Sequence, residues 1–483
     1  MRKLGIWMGT IAVVLQAGAA SLSGSRPNLI LVMTDDQGMG DLSCMGSDLV
    51  KTPNLDRFHG LSTRFTEFHV SPSCSPTRAA LMSGCYPFNV GVTHTILQRE
   101  RMKLGIFTLP QALKSAGYAT GIFGKWHLGD EEPYLPGNRG FDEALIHGCG
   151  GIGQGGDFPA NKEQRYFDNV LLHNETVVKT PGFCTDLFFK AALGWIQKQE
   201  QSGQPYFAYV APNAPHAPLI APEKYKRRFL ELGFDAATAA RFGMIENIDD
   251  NFGVLMRKLD EWDAWENTVV IFTTDNGANY LTGKRNGERF SYFNAGLRSG
   301  KGSPYEGGNH VPMIMRWDGV LGAGVDINGL VAHVDLYQTF CDLAGVKLPQ
   351  TMQALDGRSF LPLLENPAAP WPDRMLFTHC GRWPTGERDA YAFNKCAVRT
   401  QRWRLVNGAQ LFDIENDPGE RNDVASSFPE VVERLRAAYG EWWNSTLPKM
   451  VNEGLSATPP EKQPYKLRYE SQQKEQGVPE WSP

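Results

Sequence analysis

Four stretches of this chain are apolar at nearly every position, and a polar cluster follows each. They are "NLILVM" (28–33) before "DDQG", "YATGIF" (118–123) before "GKWHLG", "PYFAYV" (205–210) before "APNAPHAP", and "TVVIFTT" (268–274) before "DNGANY". A strand with one wet face alternates apolar and polar residues. A continuous apolar run reads instead as a strand covered on both faces, as in a parallel sheet. Amphipathic segments lie between the runs: "TLPQALKSAG", "DLFFKAALGWIQKQ", and one with Ile245, Ile248, Phe252, Leu255 and Leu259 at three- and four-residue spacing. This alternation predicts an α/β fold with a large, mainly parallel sheet sandwiched by helices.

Open α/β sheets bind ligands beyond the carboxyl ends of their strands. The residues at those ends are Asp35 and Asp36, Lys125 and His127, His216, and Asp275 with Asn276. One aspartate after a strand is ordinarily a turn or cap residue. Four strands delivering carboxylates, bases and a cation to one edge describe a site. Aspartate and asparagine oxygens are hard donors, which suit calcium or magnesium better than zinc.

Composition fits a large soluble enzyme: 483 residues, 42% hydrophobic and 21% charged, with a net charge of −5. That balance argues against a nucleic-acid partner and requires any anionic substrate to meet a locally positive pocket. The opening "MRKLGIWMGTIAVVLQAGAAS" has Arg2 and Lys3, an apolar run and Ala17-Gly18-Ala19, the pattern of a cleaved signal peptide over residues 1–20. No later run is apolar enough to span a bilayer, so a periplasmic or secreted protein is expected. The main domain is expected over residues 26–365. A proline-rich connector, "LLENPAAPWPD", leads to short strands ("MLFTH", "YAFNKCAVR", "WRLV", "QLFDI") and the helix "PEVVERLRAAYGEWW", a smaller C-terminal α+β domain over 372–446. Residues 447–483 read as a polar tail that wraps the surface or is disordered.

Eight cysteines show no disulfide framework or zinc spacing; Cys380 and Cys396, on neighbouring predicted strands, are the pair chosen for a bridge. Cys74 stands apart, in "SPSCSPTRAALMSG". It reads as a buried structural thiol, a thiolate nucleophile, or the precursor of another group.

The stretch "CSPTRAALMSG" resembles the C-x-P-x-R signature of the formylglycine-dependent sulfatases, in the alkaline phosphatase superfamily. "LVMTDDQG", "GKWHLG", "APNAPHAP", "TTDNG" and "LRSGKGSPYEGGNHVP" resemble that family's other blocks, and the likeness covers roughly residues 27–445. The resemblance implies that Cys74 is oxidised to formylglycine (3-oxoalanine) by a formylglycine-generating or anaerobic sulfatase-maturating enzyme. It implies calcium or magnesium at Asp35, Asp36, the modified Cys74, Asp275 and Asn276. Arg78 would brace the modified residue, and Lys125 and Lys301 would hold sulfate oxygens. His216 would protonate the leaving oxygen, and His127 would take a proton from the sulfated intermediate. Thr77 replaces the commoner serine, and His310 stands where many members carry arginine.

Export and polar, aromatic surroundings ("THTILQRER", "NYLTGKRNGERF", "HCGRWPTGERDAY") favour a sulfated carbohydrate over a small aryl sulfate, with His94, Arg99, His310 and Arg382 as candidate sugar contacts. The competing readings are a phosphate or phosphonate ester hydrolase on the same scaffold, and a binding module without catalysis.

Overall fold

In the computed structural model, which describes residues 21–483, the four apolar runs are the four adjacent central strands of one sheet. The expected leader lies outside the described residues. In chain order the ten strands are Asn28–Thr34 (β1), Thr63–Phe65 (β2), Ala119–Gly124 (β3), Glu143–Ile146 (β4), Val170–His173 (β5), Thr176–Lys179 (β6), Tyr206–Ala211 (β7), Thr268–Thr274 (β8), Met313–Arg316 (β9) and Asp326–Ile327 (β10). They lie side by side as β10-β2-β9-β8-β1-β7-β3-β4-β5-β6. The core from β8 to β4 is parallel, while β9, β5 and β6 join antiparallel at the flanks.

Register aligns the strand ends. Thr34 pairs with Thr274 and Gly124 with Ala211, so the polar clusters beyond them emerge at one level. Both faces are covered, which is why these strands read as unbroken apolar runs. Leu29, Leu31 and Met33 pack with Ala79, Leu81 and Leu336 from the helices Cys74–Ser83 and Asp335–Ala344. Ile30 and Val32 point the other way, onto Leu187 and Phe188 of Cys184–Ser202 and Ile248 and Phe252 of Ala236–Glu261. Each such side chain contributes about 1.5–3 kcal/mol on burial. Asp235 caps the long helix by accepting from the Thr238 N–H, and Thr108 with Gln111 forms a capping box on Leu109–Ser115.

The C-terminal unit is an antiparallel sheet of Leu376–His379, Cys396–Arg399, Trp403–Val406 and Gln410–Asp413. Leu435, Tyr439 and Trp443 of the helix Pro429–Thr446 pack against it. Only the second half of "YAFNKCAVR" is strand; the segment enters through a 3-10 turn at Arg388–Tyr391 and a left-handed Lys395. All eight cysteines are free. The expected Cys380–Cys396 bridge is absent because the ladder sets Cys396 against His379 and Cys380 against Lys395, one position out of register. The tail is ordered and carries a helix, Pro464–Glu475, which Gln472 ties to β6 by exchanging two 2.7 Å hydrogen bonds with the Val177 backbone.

One carboxylate joins the two units. Glu306 is 1% exposed and accepts from Arg404 Nε (2.8 Å) and Arg399 Nε (3.1 Å) of the small sheet, while His310 Nδ1 lies 2.8 Å away. Burial would raise its pKa, but Arg404, His69 and Arg399 hold it well below the carboxylate range. Its stabilising contribution is therefore present above the unfolded value of about 4.3 and is lost only as pH falls through the depressed folded value. Glu306→Gln removes the carboxylate shared by two buried guanidinium groups and leaves Arg399 with Glu67 and Arg404 with the more distant Glu420. It should cost about 3–5 kcal/mol in urea unfolding at neutral pH; an unchanged midpoint would remove the latch from this account.

Candidate active site

Cys74 opens its helix and is buried, with Ser73 still extended before it. The Thr77 hydroxyl donates to the Ser71 carbonyl at 3.1 Å, pinning the first turn; the hydroxyl that a serine would also offer is retained here. Arg78 lies four residues on, one turn along the same helix face. Its Nε and Nη2 donate to Asp275 Oδ2 at 3.1 and 2.8 Å, and its Nη1 donates to the Lys125 carbonyl (2.9 Å) and the Tyr209 hydroxyl (3.1 Å). Arg78 thus braces Asp275 and the backbone after β3.

The strand ends supply the rest. Lys125 Nζ donates to Asp35 Oδ2 at 2.7 Å, and Lys301 Nζ to Asp36 Oδ1 at 2.5 Å. The Asn276 amide donates to Asp36 Oδ1 at 2.8 Å, and the Asp36 N–H to Asp275 Oδ1 at 3.2 Å. Ligand atoms of Asp35, Cys74 and Asp275 all lie within 4.8 Å of one another, as do those of Asp35, Asp36 and His216. Asp35 Oδ1, Asp36 Oδ2 and Asn276 Oδ1 are buried and accept no hydrogen bond. Burial, only partly offset by Lys125, raises Asp35 to about 6, and burial with the Asp35 charge raises Asp275. Burial also works against Asp36, yet Lys301 and His216 hold it low. Unpartnered hard oxygens and mutually repelling carboxylates are a donor set that fits a divalent cation.

The two histidines are fixed as opposite tautomers. His127 Nε2 lies 2.8 Å from the Thr95 carbonyl, which can only accept, so Nε2 carries the hydrogen and the buried, unpartnered Nδ1 is the basic atom. His216 Nδ1 lies 2.8 Å from the Ala217 carbonyl, so Nε2 is its basic atom, 3.8 Å from Asp36 Oδ2. Burial lowers both pKa values, helped by Lys125 at His127 and opposed by Asp36 at His216. The Tyr166 hydroxyl holds the His216 carbonyl at 2.7 Å, and Asn213 donates to that hydroxyl at 2.6 Å.

Left-handed backbone, found at scattered positions along the chain, also occurs at three site residues. Asp36, His127 and Arg382 have φ of +67°, +62° and +61°, a region that residues other than glycine enter uncommonly. Gly124 has φ of +122°, and a Cβ there would sit 2.0 Å from the Ala211 carbonyl oxygen; only glycine lets Lys125 leave β3 at this angle.

Cys74, His127, His216 and Lys301 face a cavity of about 330 Å³. Of the four candidate sugar contacts, Arg382 lines it. His94 is half-buried and accepts from the Thr95 and Ile96 N–H groups, bracing the adjoining loop. Arg99 and His310 have other partners. Arg99 is fully buried, bonded to Thr93 and the Trp383 carbonyl and paired with Glu453 at 3.0 Å. His310 pairs with Glu306 and lines a separate apolar cavity with Met39 and Met45. The loop 95–100, within the quoted "THTILQRER", lines the cavity through Thr95, Ile96, Leu97, Gln98 and Glu100 and not through the two residues singled out there; sequence reasoning missed the tail residues Ala457, Thr458 and Gln463, which complete the cavity wall. The tail residues carry no local signal, whereas Asn213 and Tyr209 lay within stretches already quoted.

Comparison with known proteins places this geometry. The family model described as Sulfatase matches residues 27–346, and one described as N-sulphoglucosamine sulphohydrolase, C-terminal, matches 300–440. The chain is 31% identical to human arylsulfatase A over 480 residues, covering 89% of this chain and 90% of that protein. It is 32% identical to N-acetylgalactosamine-6-sulfatase of Sus scrofa over 471 residues, covering 88% and 87%. A crystal structure of Ps i-CgsB in complex with k-i-k-neocarrahexaose superposes with a TM-score of 0.77 at 30% identity, covering 92% of this chain and 97% of that one.

Glu453 also bonds Thr93 and the Trp383 indole N–H, so one tail carboxylate fixes the segment that leads into the cavity loop. Glu453→Ala leaves the Arg99 guanidinium buried without its carboxylate. It should cost about 1–3 kcal/mol and speed amide exchange across residues 93–101. Unchanged exchange there would show that the tail does not hold the loop.

Proposed function

The chain belongs to the sulfatase family of sulfuric ester hydrolases, and on that premise we propose that it removes sulfate from a carbohydrate, using a formylglycine made from Cys74 and a divalent cation beside it. The observation that carries this reading is the meeting of Cys74 with three buried carboxylates and three buried cations at one sheet edge.

Asp35, Asp36, Asp275 and Asn276 would hold calcium or magnesium through hard oxygens. Held there, a divalent cation would supply neutralisation of sulfate charge and acidification of a nearby hydroxyl. Oxidised Cys74 would supply one hydroxyl as the nucleophile toward sulfur and a second hydroxyl with a removable proton.

The remaining work falls to the chain's own side chains. Lys125 and Lys301 each spend one N–H on a carboxylate, which leaves two further donors per ammonium for sulfate oxygens. Arg78 holds Asp275 in place. The His127 Nδ1 lone pair, set by the Thr95 carbonyl, suits removal of the proton from the second hydroxyl. His216, protonated at Nε2, suits donation to the leaving oxygen.

Carbohydrate is favoured as the substrate class because polar side chains line the cavity, including Thr95, Gln98, Gln154, Arg382 and Gln463. N-acetylgalactosamine-6-sulfatase and the carrahexaose-bound structure are among the similar proteins. A phosphonate monoester hydrolase shares the fold at 20% identity, a likeness of scaffold alone. The leader would direct the protein to the periplasm or outside the cell, after a maturating enzyme has met the unfolded chain. Among the described residues no helix is long and apolar enough to cross a membrane.

Sulfate release should exceed hydrolysis of a matched phosphate diester, and the reverse order would move the protein to the rival class. His216→Ala tests the proton assignment. It should lower kcat/KM about 10²–10⁴-fold on a carbohydrate sulfate, whose alcohol leaves poorly, and far less on a nitrophenyl sulfate. Equal losses on both would make His216 a positioning residue for sulfate.

A further inference from the structure

Arg382 follows the first strand of the small C-terminal sheet, yet it lines the same cavity as Cys74 and Lys301. Its backbone is held on both sides. The Arg382 N–H donates to the Thr93 carbonyl at 3.1 Å, and the Gly381 N–H to His379 Nδ1 at 2.8 Å. A Cβ on Gly381 would sit 2.1 Å from the Thr93 carbonyl oxygen, so only glycine lets the two segments approach this closely. On the other side Trp383 is buried against Phe88, His379 and Trp443, and its carbonyl accepts from Arg99 Nη1 at 2.8 Å.

The side chain has no such anchors. The buried arginines Arg78, Arg99, Arg241, Arg399 and Arg404 each meet a carboxylate. Among the described residues the Arg382 guanidinium meets none, and its Nε is buried without an acceptor. A Cβ built on Gly302 would lie 3.8 Å from Arg382 Nη1, which places that end of the guanidinium beside the residue after Lys301. The carboxyl groups that line the cavity do not pair with it. Glu131 pairs with Arg101, while burial raises Glu100 to about 7 and, with the Glu100 charge, raises Asp130 well above the carboxylate range.

A fixed backbone that presents a guanidinium with nothing to bind is half of an ion pair. The planar fork matches an oxyanion through two parallel hydrogen bonds. Lys125 and Lys301 already have donors for the sulfate at Cys74, and Arg382 reaches the cavity from a different unit of the fold. We propose that Arg382 receives a second anionic group of the substrate, a carboxylate or a further sulfate near the ester presented to Cys74, and so sets a preference for multiply charged carbohydrate. The proposal rests on the sulfatase reading of the Cys74 site.

The test sets three sugars in competition with nitrophenyl sulfate: N-acetylgalactosamine 6-sulfate, its 4,6-disulfate, and the 6-sulfate joined to glucuronic acid. At least one of the two dianionic sugars should inhibit at a concentration about tenfold or more below the monoanion, the size of one charge-assisted hydrogen bond. The sugar that does so identifies the second anion as sulfate or carboxylate. Arg382→Gln should bring the inhibition constants together. Arg382→Lys should keep part of the gap, since an ammonium retains the charge and loses the fork. Each comparison is made within one preparation, so the fraction of mature enzyme cancels. Equal inhibition by all three sugars in the wild type, or a gap unchanged by Arg382→Gln, overturns the proposal. If Arg382→Gln does not fold, Arg382→Lys decides, and an undiminished gap there overturns it equally. No turnover of nitrophenyl sulfate by wild-type enzyme that carries formylglycine overturns the sulfatase reading instead.

Discussion

Three carboxylates and three cations share one dry site at the end of a parallel sheet, and the surrounding structure answers to that fact. Asp35, Asp36 and Asp275 are matched by Lys125, Lys301 and Arg78 at 2.5–2.8 Å. Taking charges out of water costs several kcal/mol per ion, and losing one partner of a buried pair costs about 3–5 kcal/mol. The set is close to neutral as built, so on the proposed function a divalent cation added to it would make the site positive and receptive to a sulfate ester within a protein of net charge −5. One charge inventory thus serves cohesion and binding together. It explains why Arg78 spends its donors on Asp275, the Lys125 backbone and Tyr209 rather than facing the cavity.

Holding such a site in register needs a rigid frame. The parallel ladder supplies it: Thr34 and Thr274 are paired, so Asp35 and Asp275 emerge side by side, and the Asp275 N–H donates to the Thr34 carbonyl at 3.1 Å. The local price of that convergence is left-handed backbone at Asp36 and His127. More distant parts fix the rim. Glu306 couples the small sheet to the loop that carries Lys301, and Glu453 couples the tail to the segment leading into the cavity.

The central sheet was legible because strands buried on both faces write a continuous apolar signal, and the residues just past them are by topology at the ligand edge. The order of the four central strands, and the pairing of each lysine with its aspartate, depend on contacts between distant segments that no local pattern records. Arg99 shows the limit plainly. In sequence it is a charged residue beside His94 in a polar stretch, and only the fold brings up Glu453 to bury it. The tail shows the same limit from the other side. The weak periodicity of 464–475 hid a helix held by two anchors, Tyr465 and Gln472, rather than by a full apolar stripe.

The central claim is that Cys74 is a precursor whose oxidised form, set among these charges, does the chemistry. Mass spectrometry of the Cys74 peptide from enzyme co-produced with a formylglycine-generating enzyme, read against sulfate release by the same preparations, tests it most directly. The account predicts that activity rises in proportion to the fraction of aldehyde at residue 74. Full activity in a preparation whose Cys74 is entirely thiol would contradict it.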